Sequence, residues 1–318
     1  MERGKSMIIL GGAGFAGSGL VKKFLAKDVE VKVIDIISPH QAYNLADVID
    51  NPKLIYVWKA LRDVEVSDLE GHDTIVHLAA QADVPMGITS PRWTIMENVE
   101  ETICFLEQVR KLKTYPDRLI YAGSGNEFGR PIYLPIDEKH PLTPHNPYAF
   151  SKAAAEMAYW TYSRCYKLPV TIMSNGACLG AGMRRDIFVY LWLRNMIKGL
   201  PVRLEGGSQT RDLTYVSDIL DAWELVIEAS PDKIKNEKFQ VSYCEELSVR
   251  EILYMCYQVT GSEVETIFTD FRPGEEGQRE LFTREKAGRI LGYAPKVNPM
   301  EGIKLTYEWM KSLNPNEL

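Results

Sequence analysis

Met7-Ile8-Ile9-Leu10-Gly11-Gly12-Ala13-Gly14-Phe15-Ala16-Gly17 is the stretch that decides how this chain folds. Four apolar residues, enough for a short buried strand, run straight into a glycine cluster and then into a helix pattern over Ala16–Lys27. Gly12, Gly14 and Gly17 satisfy G-x-G-x-x-G, and Gly11, Gly14 and Gly17 satisfy G-x-x-G-x-x-G. Glycine is needed where the backbone turns tightly and approaches a pyrophosphate with no Cβ in the way. The helix N-terminus beyond offers free N–H donors and the positive end of a dipole. Such a pattern is common alone; between a first strand and a first helix it points to a dinucleotide site. Gly11, Gly14, Phe15, Ala16 and Gly17 are its expected cofactor contacts.

Further along, Val29–Ile34, Leu54–Val57, Thr74–His77, Arg118–Ala122 and Val170–Met173 read as buried strands. Pro91–Leu112 and Tyr148–Tyr166 read as helices between them. This alternation implies a parallel sheet covered on both faces, doubly wound and Rossmann-like, with its crevice at the strands' carboxyl ends. Beyond Gly180 the pattern shifts to Ile187–Lys198, Val202–Leu204, Val216–Ala229, Ser248–Thr260 and a closing helix near Glu301–Leu313. A smaller α/β substrate-binding portion, interleaved with the sheet domain, is expected there. Residues 1–174, with 212–243 returning, form the dinucleotide-binding domain; 175–211 and 244–318 form the substrate portion. Asp35 closes the second strand, where an acidic side chain receives the adenosine ribose hydroxyls. A carboxylate there repels a 2′-phosphate, so NAD is preferred over NADP.

Composition sets bounds. The chain has 318 residues, 45% hydrophobic and 25% charged, which suits a globular protein with a substantial core. A formal charge of −6 speaks against a nucleic-acid partner. Met1–Lys5 is too short and polar for a signal peptide, and no apolar run approaches the roughly 20 residues of a membrane span. Cys104, Cys165, Cys178, Cys244 and Cys256 are scattered and form no Cys-x-x-Cys pair, which fits reduced thiols in a cytoplasmic protein. His40, His72, His140 and His145 show no metal-ligand spacing, so no metal site is expected; His77 ends a buried strand and reads as structural.

Tyr148-Ala149-Phe150-Ser151-Lys152 opens a helix. Residues four apart share one helical face, a turn apart. A phenol near neutral pH is protonated and a poor base. A neighbouring ammonium, with the positive nicotinamide of NAD, favours the phenolate, which can then take a proton from a substrate hydroxyl. With the glycine loop upstream and Ser124 preceding it, Ser124, Tyr148 and Lys152 are the expected catalytic group.

Further motifs fall in one order along the chain: His77-Leu78-Ala79-Ala80-Gln81, Asn98 in Glu97-Asn98-Val99-Glu100-Glu101-Thr102, and Gln209-Thr210-Arg211-Asp212-Leu213-Thr214-Tyr215-Val216-Ser217-Asp218. Arg272-Pro273-Gly274-Glu275 and Leu291-Gly292-Tyr293-Ala294-Pro295 follow. With Gly11–Gly17 and Tyr148–Lys152, they make the sequence resemble the extended short-chain dehydrogenase/reductases, in the nucleotide-sugar epimerase/dehydratase group, over nearly its whole length. The resemblance implies that Leu78, Ala79 and Ala80 line the cofactor's phosphate–ribose stretch and that Asn98 steadies the loop behind it. Ser124 would bond the reacting sugar hydroxyl beside Tyr148, and Lys152 would also bind the nicotinamide ribose. Gln81 and Asn175 join the expected substrate contacts, and Arg211 and Arg272 would clamp the nucleotide diphosphate. The helices carrying Asn98 and Tyr148 would pair across a two-fold axis in a homodimer.

Three departures matter. Sugar 4,6-dehydratases commonly carry an acid and a base at the two positions after the Ser/Thr; here Gly125 and Asn126 stand there, and Glu127 is one residue late. The family's arginine, asparagine and tyrosine are replaced by Ser174, Ala177 and Leu179. Ala60-Leu61 occupies the place of an Asp-hydrophobic pair that contacts adenine. The expectation is an NAD-dependent nucleotide-sugar epimerase acting at C4 through a transient 4-keto sugar. Alternatives are a 4,6-dehydratase, a decarboxylase or a C4 dehydrogenase, and, less favoured, a non-catalytic NAD-binding protein.

Overall fold

Short apolar runs give the strands β1 (Ser6–Leu10), β2 (Glu30–Asp35), β3 (Leu54–Trp58), β4 (Thr74–His77), β5 (Arg118–Ala122) and β6 (Val170–Asn175). The structure, a computed structural model, describes residues 6–314; Met1–Lys5, the segment read as too polar for a signal peptide, lies outside the described residues. The sheet order is Glu237–Val241, β6, β5, β4, β1, β2, β3. Every pair from β3 to β6 is parallel. The order reverses between β1 and β4, and a parallel sheet opens a crevice beyond the strand ends at such a point. All four residues of β4 are buried, as both-face coverage requires. Ile8, Leu10, Ile34, Ile75, Phe105 and Tyr121 belong to one buried cluster around these strands.

The first helix, α1 (Phe15–Leu25), starts at the end of the glycine cluster. The single helix read over Pro91–Leu112 is broken into Pro91–Ile95, a π-helical turn Met96–Glu100 and Glu101–Arg110. A π turn displaces the residues it carries relative to a regular helix, and here it carries Asn98. The helix Pro147–Tyr166 holds Tyr148 and Lys152 in its first two turns.

The chain divides into two compact units. One takes the residues up to Glu127, then Pro147–Ser174 and Trp223–Phe239; the other takes Phe128–Asn146, Asn175–Ala222 and the residues from Gln240. This differs from the expected boundaries at two places. Phe128–Asn146 goes with the second unit because Ile136 bonds through its N–H to Leu281 O at 2.7 Å, and its carbonyl accepts from Thr283 N at 2.9 Å. Phe128, Ile136 and Phe282 also form a small buried cluster. The returning segment is narrower than 212–243 because Asp212 accepts from Ser242 Oγ, Cys244 N and Phe282 N, all in the second unit.

Within the second unit, short strands pair as Ala177–Leu179 with Leu213–Tyr215 and Val202–Glu205 with Thr266–Thr269. The helix Val249–Thr260 begins in a reciprocal Ser248–Glu251 capping box and ends at Gly261, whose φ of 64° suits a left-handed cap.

Phe105 is fully buried in the sheet unit's core. Phe105→Ala should therefore cost about 3–5 kcal/mol of unfolding free energy. The measurement is urea denaturation, expected to show a lower midpoint at an unchanged slope.

Candidate active site

The crevice at the reversal point begins with the turn after β1. Gly11 has φ +78°, and a Cβ there would stand 2.5 Å from Ala79 N, so only glycine lets this turn lie against the loop after β4. A Cβ on Gly17 would overlap the Gly11 carbonyl oxygen, so α1 can approach the turn only without one. The first turn of α1 contains no acidic residue, and Gly14 at its N-cap supplies no side-chain bond. Its positive end is therefore left for an outside anion.

Asp35 ends β2 beside this turn and is nearly buried. Its Oδ2 accepts from Ala13 N and its Oδ1 from Ile37 N, each at 2.9 Å. Burial pushes the carboxyl above its ordinary range, against those two backbone donors. A pocket joins Gly11, Gly14 and Asp35 to Leu78, Ala79, Ala80 and Gln81. Phe15, Ala16 and Gly17 lie at the start of α1 behind that turn. The pocket also includes Leu61, from the Ala60-Leu61 pair that departs from the family pattern. Sequence reading did not single out Ile36, Ile37, Lys59, Trp93, Glu97 and Glu101, which line the same pocket. No local pattern marks them; tertiary packing alone brings them there.

Asn98 is buried, with its Oδ1 accepting from Gln81 N at 2.7 Å and its Nδ2 donating to Gln81 O at 2.9 Å and Ser151 Oγ at 2.8 Å. It ties the loop after β4 to the helix that carries Tyr148 and Lys152. Ser151 also donates to Tyr148 O at 2.7 Å. Gly87 is another residue that sequence reading passed over: a Cβ there would meet Tyr148 Cβ and N at 3.3 Å.

Ser124 and Lys152 meet at the end of β5, and Tyr148 lies one turn before Lys152 on its helix. Ser124 follows that strand and is nearly buried; its Oγ accepts from Asn126 N at 3.2 Å. Lys152 Nζ donates to Ala122 O at 2.6 Å and lies 4.2 Å from the centre of the Tyr121 ring. Burial lowers the Lys152 ammonium to about 8, while Glu127 and Glu156 pull the other way. Tyr148, one turn before Lys152 on the same helix, is also nearly buried. His77 is fully buried, with Nδ1 2.6 Å from the Tyr159 hydroxyl. Burial, aided by Lys152, lowers its imidazole to about 3 and keeps it neutral.

Asn175, Arg211 and Arg272 belong to the second unit. Asn175 Nδ2 donates to the neighbouring Gly176 O at 3.1 Å. Arg211 lies 3.4 Å from Glu275 and 3.6 Å from Glu280, and Arg272 pairs with Glu205. Both arginines are thus held by carboxylates.

A reversed parallel sheet with a glycine turn at the switch point and a Tyr–Lys pair beyond β5 is the arrangement of an extended short-chain dehydrogenase/reductase. The chain belongs to the GDP-mannose 4,6 dehydratase family, whose sequence model matches residues 8–306. A putative UDP-glucose 4-epimerase of Methanocaldococcus jannaschii is 30% identical, over 97% of this chain and 99% of that one. A solved UDP-glucose 4-epimerase of Thermotoga maritima, with UDP-glucose, superposes with a TM-score of 0.86 at 26% identity, covering 96% of this chain and 98% of that one. The dTDP-glucose 4,6-dehydratase of Streptomyces venezuelae, solved with NAD, superposes with a TM-score of 0.89 at 26% identity, covering 96% and 97%.

Asn98→Ala removes one accepted and one donated bond at Gln81, and the donated bond to Ser151. It should lower stability by about 1–3 kcal/mol, because Gln81 N is left without that partner. Thermal unfolding measures the loss, and titration with NAD should show weakened binding.

Proposed function

We propose that the protein is an NAD-dependent nucleotide-sugar 4-epimerase. One observation carries this over dehydration. Glu127, the only carboxylate close in sequence to the two positions where dehydratases carry an acid and a base, is fully buried and accepts from Ser124 N at 2.9 Å. It is turned into the core, and Gly125 and Asn126 cannot exchange a proton near neutral pH. Tyr148 and Lys152 remain as the reacting pair, and epimerisation needs no further acid or base. The UDP-glucose 4-epimerases among the relatives support the same reading.

The residues fit NAD. The Gly11–Gly17 cradle, which a Cβ would fill, and the uncompensated start of α1 suit a pyrophosphate, and Asp35 suits a ribose without a 2′-phosphate. When bound, NAD accepts a hydride from the sugar's C4 and gives it back. Tyr148 takes the C4 hydroxyl proton as the carbon is oxidised and returns it on reduction. Lys152 favours the phenolate by its charge, and Ser124 Oγ holds the reacting oxygen. The 4-keto sugar turns over between the two half-reactions and is reduced on its other face. Arg211 and Arg272 take the diphosphate, exchanging part of their contact with Glu275, Glu280 and Glu205.

Incubating the enzyme with UDP-, GDP-, dTDP- and CDP-hexoses and following the products by NMR should give C4 epimers. A 4-keto-6-deoxy product would show dehydration instead. Tyr148→Phe should reduce kcat at least about 100-fold, the lower range for a lost general acid–base group.

The working unit in this reading is a homodimer. The helices Glu101–Arg110 and Pro147–Tyr166 pack together and expose Ile103, Phe150 and Met157, with Trp93 and Met96 nearby in the chain. Phe150 and Met157 are seven apart and share one face. Met157→Glu should shift the sedimentation coefficient from dimer to monomer; a wild-type protein already monomeric at micromolar concentration would count against the pairing. The five cysteines, none in a disulfide, fit a reducing cytoplasmic setting.

A further inference from the structure

Behind Ser124 and Lys152 lies a buried charge cluster that the reaction above leaves unused. Glu156, one turn beyond Lys152, is 3% exposed. Lys238 Nζ donates to both of its oxygens, at 2.9 and 2.7 Å, and Trp160 Nε1 donates to Oε1 at 3.1 Å. Glu156 is therefore solvated by the protein as a carboxylate. Glu127 is not. It is wholly buried, its Oε1 accepts from Ser124 N, and no N–H or O–H donor among the described residues bonds its Oε2. Lys238 Nζ is 3.6 Å from that Oε2 but is already committed to Glu156.

The side chains around it explain the shortage. Ser174 stands where the family resemblance places an arginine, and its Oγ is buried without a hydrogen-bond partner among the described residues. A Cβ on Gly123 would overlap Ser174 Oγ and come within 3.4 Å of Glu156 Oε2, so Ser174 and the carboxylate share one small space. The cation serving Glu156 comes instead from the strand Glu237–Val241. Two carboxyl groups thus share one direct cation, and with one backbone donor and a 3.6 Å contact to a shared ammonium the ionised form of buried Glu127 is costly.

We propose that Glu127 is a positioning residue of the Tyr148–Lys152 site: it stands protonated, sharing the hydrogen on Oε2 with Glu156 while its Oε1 anchors the Ser124 turn. Glu156 and Lys238 then cancel, and the charge of Lys152 is left to favour the Tyr148 phenolate. An ionised Glu127 would neutralise that charge. The other titratable groups around the cluster do not supply the missing charge. His77 on β4 is held neutral by burial, and burial keeps Tyr121 on β5 and Tyr159 on the Lys152 helix protonated. Burial first, then the Glu156 charge, raises the Glu127 carboxyl well above its ordinary range, against Lys238 and Lys152.

The role given to Tyr148 rests on the reading under Proposed function, so the deciding readouts are taken without substrate. Infrared difference spectra of the NAD-bound enzyme at neutral pH should show the carbonyl stretch of a protonated carboxylic acid, lost in Glu127→Gln. Ultraviolet titration of the phenolate, taken as wild type minus Tyr148→Phe, should give the same midpoint in Glu127→Gln to within about 0.3 pH unit, because a neutral amide replaces a neutral acid. Glu127→Ala, which drops the Ser124 anchor, should lower kcat about tenfold with little change in KM, and Glu127→Gln should restore it. No such band in the wild type, no band component lost on going to Glu127→Gln, or a Tyr148 midpoint about one unit lower in that variant overturns the proposal. Failure to turn over any nucleotide sugar, with band and midpoint as expected, overturns the epimerase reading alone.

Discussion

Gly11 and Ala79 meet backbone to backbone, and the site depends on that closeness. The turn after β1 can lie against the loop after β4 only because no Cβ separates them. The two loops flank the point where the sheet order reverses. The groups proposed to line the phosphate and ribose part of the dinucleotide site take their places around that approach. Asp35 bonds the turn at Ala13 N, Leu78–Gln81 form the opposite wall, and Asn98 holds that wall through both its N–H and its carbonyl.

The same loop system reaches the chemical group through one side chain. Asn98 bonds Gln81 and Ser151 together, and Ser151 lies on the helix between Tyr148 and Lys152. The wall of the pocket and the helical turn that carries Tyr148 are thereby joined by a single buried amide. The π turn gives that amide its position: a regular helix over the same residues would carry Asn98 round by part of a turn. Lys152 is fixed separately, by the Ala122 carbonyl and the face of Tyr121, with its head group out of water. A buried ammonium held this way acts on its surroundings through little intervening solvent, so its charge counts for more than it would at the surface.

Much of this was legible in the residues. Strands β1, β4, β5 and β6 carry the buried apolar runs that a parallel sheet covered on both faces demands, whereas Leu54–Val57, read as buried, lies in the edge strand β3 and is half-exposed. The seventh strand was not singled out, because Glu237-Lys238-Phe239-Gln240-Val241 alternates polar and apolar side chains although all but Glu237 are buried. Its Lys238 is inside because Glu156, 82 positions earlier, is there to receive it. The interruption of Pro91–Leu112 was equally hidden, since its apolar spacing continues through the π turn. The place of Phe128–Asn146 is set by its ladder to Leu281 and Thr283, a long-range pairing with no local signature.

The glycines, Asp35 and the Tyr148–Lys152 spacing point from sequence alone to the fold that forms and to the places proposed for a dinucleotide and a base, since each depends on local backbone geometry. Tertiary structure decided the electrical state of the site. Whether Glu127 faces the crevice or the core, and which cation answers Glu156, follows from elements far apart in the chain coming into contact. Burial and Coulomb interactions act through space, and sequence order carries no record of those distances.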